Sequence, residues 1–177
     1  MVLTGAYSGM RLGDVSLLRW ENVDLAGREL HFKTEKTRRE QTIPIAEPLL
    51  RHLMEIAGSD DPRAPLFPRA FAGRQRKVLT GALSNQFYRL MSKAGVVPPR
   101  TNQSKGKGRN AARTSTGLGY HCLRHSVTTM LKQAGASDVV AREIVGHDSA
   151  AVSRTYSHID TQTLRAAIDR LPDITGE

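Results

Sequence analysis

YHCLRHSVTTMLKQAGASDVVAREIVGHDSAAVSRTYSH, running from Tyr120 to His158, is the stretch around which the rest of the chain is arranged. Leu123, Val127, Met130, Leu131 and Ala134 recur at i, i+4, i+7, i+8 and i+11, an apolar stripe of helical period, and Gly135 supplies the stop. His121 and Arg124 fall in the first turn of that helix, where unpaired backbone N–H groups favour an anion. Ser137 or Asp138 can cap a second helix with Val139, Val140, Ile144 and Val145 as buried candidates, and Gly146 closes it. Ser149 can cap a third, on which Tyr156 shares a face with Val152. Short helices broken at Gly135 and Gly146 bring His121, Arg124, His147 and Tyr156 toward one place although they are far apart in sequence.

Immediately upstream, Val97 to Gly119 holds Arg100, Lys105, Lys107, Arg109 and Arg113 among Gly, Ser, Thr and Asn, without one acidic residue. Such a segment is too polar to bury. It reads either as a loop that neutralises phosphates, with Lys105, Lys107, Arg109 and Arg113 as contacts, or as a disordered loop, and the two combine if it orders only on DNA. The whole chain leans the same way: 26 Lys+Arg against 17 Asp+Glu give a formal charge of +9, which favours a polyanion, with nucleic acid first. A length of 177 residues with 39% hydrophobic content suits one domain with one core, and no segment is long enough to span a membrane. The single cysteine, Cys122, is assigned to the core; it excludes an internal disulfide and a cysteine-cluster metal site, which fits a reducing cytoplasm. No signal peptide is read at Met1 to Gly5. His121 and His125 stand four apart on one helix face, but no third ligand is near, so no metal and no cofactor is expected.

Toward the N-terminus, Met10, Val15, Leu17 and Leu18 follow a short helical pattern that Trp20, Val23 and Leu25 extend toward the core, with Arg11 near its start. Glu29 to Lys33 and Gln41 to Ile45 alternate apolar and polar residues around the charged stretch TEKTRRE and read as a β-hairpin. Lys36 lies in its turn, with Lys33, Arg38 and Arg39 as competing cations. Glu47 to Ala57 repeats Leu49, Leu50, Leu53, Met54 and Ala57 as a core helix ended by Gly58. Pro62, Pro65 and Pro68 mark Asp60 to Arg76 as a loop, and Ser84 to Ala94 carries a core stripe of Phe87, Leu90, Met91 and Ala94. Asp160 to Leu171 is an amphipathic helix with Leu164, Ala167, Ile168 and Leu171 on one face.

In order along the chain, these polar residues resemble the tyrosine recombinases, the phage-integrase family. His121-x-x-Arg124, Gly146-His147 and Tyr156 nine positions later resemble its C-terminal pattern. The opening segment resembles T-G-[LM]-R-x-x-E followed by L-x-W-x-[DN]-[IV]-D, matched at Gly9, Met10, Arg11, Leu18, Trp20, Asn22, Val23 and Asp24. Ser8 departs from the usual Thr, and Asp14 from the longer Glu, which puts its supporting role in question. Lys36, eight residues before Pro44, falls where the family's hairpin lysine does.

The resemblance implies a mainly α catalytic domain with a small antiparallel β-sheet near the N-terminus, spanning residues 1–177 without the family's DNA-clamping domain. It implies metal-independent DNA cleavage and rejoining through a 3′-phosphotyrosine, with Tyr156 as nucleophile, Arg11 and Arg124 clamping the phosphate, Lys36 as general acid, and His121 and His147 assisting. The implied partners are duplex DNA and further copies of the chain, joined through the C-terminal helix, in the cytoplasm at the nucleoid. Two rival readings are a type IB topoisomerase and a DNA-binding relic without activity.

Overall fold

A computed structural model of the chain describes residues 1–56, 59–75, 80–99, 117–146 and 159–176. The opening segment forms two helices, α1 (Val2–Ser8) and α2 (Leu12–Leu17), because Gly9 breaks it with φ at 65°. A side chain there would be strained and would also press on Val145, 3.2 Å from where its Cβ would sit. A single 3₁₀ turn (Trp20–Asn22) leads into β1 (Val23–Asp24), which pairs with β2 (Glu29–Lys33), and β2 pairs with β3 (Glu40–Pro44). All pairs are antiparallel, in the order β1-β2-β3. The register sets Leu30 opposite Ile43 and Phe32 opposite Gln41. Since side chains alternate across a strand, these four share the face turned to the core.

Helix α3 (Glu47–Ile56) buries Leu49 and Leu53, while Met54, expected in the stripe, is 61% exposed. Ala57 and Gly58 lie outside the described residues. The expected loop from Asp60 to Arg76 contains a helix, α4 (Pro68–Gln75). Proline at the first helical position costs nothing, since its missing N–H would have no partner there. Ala70 and Phe71 hold the helix down, and the Arg19 guanidinium sits 4.6 Å over the Phe71 ring. In α5 (Thr80–Lys93) the buried pair is Phe87 and Tyr88; Leu90 is 55% exposed, and Met91 is half-buried. The stripe is rotated because Phe87 packs edge-on against Tyr120 at 5.2 Å and the Tyr88 hydroxyl donates to the Pro98 carbonyl at 2.9 Å.

Helix α6 (His121–Gln133) runs through the centre with Val127 and Leu131 fully buried, and Gly135 at φ 87° turns the chain behind it. Cys122 is half-buried rather than core, its thiol beside the Gly117 carbonyl and the Gly119 N–H. Helix α7 (Asp138–Val145) is capped by the Ser137 hydroxyl, which accepts from the Val140 N–H, and buries Val140, Ala141, Ile144 and Val145. The Asp160 carboxylate likewise caps α8 (Thr161–Ile168) by accepting from the Thr163 N–H at 2.8 Å. The apolar stripe of α8, with Leu171 just beyond it, belongs to the same core as α6 and α7. Among the described residues no helix is long and apolar enough to cross a membrane.

The C-terminal helix therefore completes its own domain's core. Ile168, fully buried, should cost about 2–5 kcal/mol when cut to Ala. Urea denaturation of the Ile168→Ala chain checks this. A midpoint equal to that of the parent would mean that the stripe serves a partner and not this core.

Candidate active site

Arg124 lies in the first turn of α6 and is 4% exposed. Its Nη1 donates to the Gly9 carbonyl at 2.9 Å and its Nη2 to the Gly146 carbonyl at 2.7 Å. Both acceptors are left-handed glycines that close helices, α1 and α7. Carbonyls at helix C-termini lack intrahelical donors and carry the negative end of the dipole, so a guanidinium is well matched to that gap.

Two residues beyond Gly9, Arg11 is the extended residue before α2, its carbonyl accepting the Val15 N–H at 3.0 Å. One helical turn on, Asp14 is buried, and its Oδ1 accepts from the Glu35 backbone N–H at 2.8 Å. Burial pushes the Asp14 carboxyl above the usual carboxylate range, against the pull of the Glu35 N–H and of the Arg11 and Arg124 cations. The shorter Asp thus reaches the hairpin turn and ties it to α2.

Lys36 sits exposed in that turn, one residue after Glu35. The turn is held from inside by Thr34, whose Oγ1 meets Thr37 Oγ1 at 2.7 Å and accepts from the Arg39 N–H at 3.1 Å. It is held from outside by an ion pair of Glu35 with Arg74 of α4. Of the competing cations, Arg39 is drawn into an ion pair with Glu143 of α7, and Lys33 belongs to β2 opposite Glu40.

His121 is exposed at the start of α6, its ring 5.0 Å from that of His125 and nearly perpendicular to it. Partial burial, then the neighbouring His125, Arg124 and Arg11, hold its imidazole below the ordinary histidine range, which favours the neutral ring. Arg11 and Arg124 thus act electrostatically on both Asp14 and His121, and Asp14 ties the Lys36 turn to α2. Among the described residues no group of three metal-ligating side chains occurs. His147, Tyr156, Lys105, Lys107, Arg109 and Arg113 lie outside the described residues, although His147 directly follows Gly146. Sequence reasoning did not single out Gln41, Arg39 or Glu143 as parts of the site's frame; the signal for Gln41 was a polar residue in the hairpin's apolar register. Two guanidinia, a neutral-leaning imidazole and an ammonium are the group types that bind and protonate a phosphodiester.

The phage integrase family profile matches residues 1–163. The tyrosine recombinase XerC of Mycobacterium sp. strain KMS is 26% identical over 164 residues, 92% of this chain and 49% of that protein. The chain thus spans about half the length of this relative. The integrase of mycobacterium phage Brujita shares the fold with a TM-score of 0.64 at 20% identity, covering 97% of this chain and 50% of the other. The XerH site-specific recombinase bound to difH substrate aligns with a TM-score of 0.51 at 21% identity over 94% of this chain and 44% of the other.

The crowding of cations predicts a titration. Followed by NMR, the His121 ring should have its midpoint below the ordinary 6.5. His125→Asn should move that midpoint upward without restoring it fully, because burial is the larger cause. A midpoint at or above 6.5 in the parent chain would contradict the cluster.

Proposed function

Given that the chain belongs to the phage integrase family, we propose that it breaks and rejoins duplex DNA at specific sites through a covalent tyrosine intermediate. The observation that carries this reading is the Arg124 guanidinium, set between the Gly9 and Gly146 carbonyls with Arg11, Asp14 and His121 around it. In the reaction Tyr156 Oη attacks phosphorus, forming a Tyr–O–P bond to the 3′ side and releasing the 5′ oxygen. Lys36 gives that oxygen its proton. Arg11 and Arg124 stabilise the non-bridging oxygens, His121 assists by accepting the proton that Tyr156 Oη releases, and His147 hydrogen-bonds the phosphate. With this many cations the chemistry proceeds without a metal. The phosphotyrosine keeps the bond energy, so attack by a 5′ hydroxyl reseals the strand.

Lys105, Lys107, Arg109 and Arg113 contact phosphates along the duplex, independently of sequence. The XerH structure with its difH substrate is consistent with DNA as the partner. Work on DNA places the protein in the cytoplasm at the nucleoid, and recombination requires several copies on one DNA. Because α8 gives Leu164, Ala167 and Ile168 to its own core, joining copies through that helix requires either its release or its exposed face.

A nicked suicide duplex tests the reading. The parent chain should form a denaturant-resistant DNA adduct, and Tyr156→Phe should form none. Binding without an adduct in the parent would favour the relic, and an adduct in Tyr156→Phe would reassign the nucleophile. For Lys36, replacement with Ala should slow cleavage by on the order of 10²–10⁴. A substrate with sulfur at the 5′ bridging position needs no general acid, so Lys36→Ala should recover most of its rate on it, whereas Arg124→Ala should not. Rescue of Lys33→Ala in place of Lys36→Ala would move the role to Lys33.

A further inference from the structure

The hairpin and the end of α7 are joined by polar contacts that the chemistry above does not use. Gln41 lies on the core face of β3, 8% exposed, in register with Phe32 and one position from Ile43 on that face. Its Nε2 donates to the Glu143 carbonyl at 3.1 Å and the Ile144 carbonyl at 3.2 Å. These are two of the last four carbonyls of α7, for which the helix has no donors of its own. Arg39, also on the hairpin, pairs with the Glu143 carboxylate. Gly146 follows in the left-handed region, and a Cβ there would lie 2.5–2.9 Å from the Gln41 amide. The amide therefore occupies the space that the missing side chain leaves. From Gly146 the connection continues, since its carbonyl receives Arg124 Nη2.

An apolar residue would fill position 41 at lower cost, because a buried amide is unfavourable unless its donors are met. The amide instead caps a helix from across the fold, and it does so without adding a charge beside Arg124. We propose that Gln41 is a positioning residue for DNA cleavage: by capping α7 from the hairpin, it keeps Gly146, and through it Arg124, in register with the turn that carries Lys36. The Arg39–Glu143 pair holds the same joint from its rim. This rests on the cleavage reading above and adds to it a residue that does not touch DNA.

The test uses the whole chain, with single-turnover cleavage of the nicked duplex and DNA affinity measured separately. Gln41→Met keeps the volume and loses the donors. At saturating DNA its cleavage rate should fall on the order of 10–100-fold, while affinity changes by less than about twofold, as expected of a misplaced catalytic group. Arg39→Glu should also slow cleavage, and adding Glu143→Arg should restore it by re-forming the pair in reverse. Cleavage at the parent rate by folded Gln41→Met would overturn the proposal. Should Gln41→Met not fold, the charge exchange decides: recovered cleavage upholds the joint, and a folded double variant as slow as Arg39→Glu overturns it. A parent chain that forms no adduct fails the cleavage reading itself, which is a different outcome from a parent that cleaves beside a Gln41→Met that cleaves equally well.

Discussion

A guanidinium withdrawn from water between two helix ends is the constraint on which this structure depends. Burying a cation costs several kcal/mol unless its N–H groups find acceptors and its charge finds a complementary field. Arg124 finds both: the carbonyls of Gly9 and Gly146, each closing a helix with its negative end. Those glycines are 115 and 22 residues away from it in sequence. One side chain thereby fixes where the first helix ends, where α7 ends and, because Arg11 follows two residues after Gly9, where a further cation enters. Glycine is required at both places by positive φ and by what stands in the way of a Cβ, Val145 at Gly9 and Gln41 at Gly146.

Asp14 is the counterpart of Arg124. Its carboxyl is raised chiefly by burial, so the folded chain holds that proton more tightly than the unfolded chain does. Its contribution to stability is accordingly full in acid and declines as pH rises from the ordinary carboxylate value through the raised one. The Glu35 N–H and the Arg11 and Arg124 cations act against that rise by favouring the ionised form. The same contacts carry the β2–β3 turn to the site, so the cost of burying the carboxylate goes into placing a loop that has no apolar anchor beyond Thr34.

The hairpin was legible in the sequence nearly to the residue, because alternation over five positions has few competing explanations. Helices α6, α7 and α8 were legible from their stripes and stops. The errors have local causes. Pro68 was read as breaking structure where it opens α4, since proline is compatible with the first turn and with no later one. Met54 and Leu90 were counted as core because a stripe gives only the period; which edge of it is covered depends on neighbours that come from elsewhere in the chain. At the candidate site, Arg11, Asp14, His121 and Arg124 were read from the sequence, and in the structure Arg11 and Arg124 act on both Asp14 and His121. What Arg124 binds was not legible, because its acceptors are backbone carbonyls and carbonyls leave no trace in a sequence. Gln41 left a trace, a polar side chain where the register calls for an apolar one, and its meaning needed the partner helix.

That dependence on carbonyls also changes how the positive charge is understood. Helices of six to fourteen residues leave a large share of their carbonyls without helical donors. Several of the long-range ties in this fold are side-chain donors that meet such groups or loop carbonyls: Tyr7 to Pro172, Tyr120 to Met1, Arg124 to Gly9 and Gly146, and Arg165 to Gly27. Bonding to a carbonyl satisfies an arginine's N–H groups without cancelling its charge, which pairing with a carboxylate would do. Arg39, Arg51 and Arg74 are in ion pairs and contribute little net field. Arg124 gives two of its N–H groups to neutral carbonyls in a region of low dielectric, where a charge acts over a longer distance than at the surface. The excess of cations read from composition is thus partly internal, as the buried Arg124 shows.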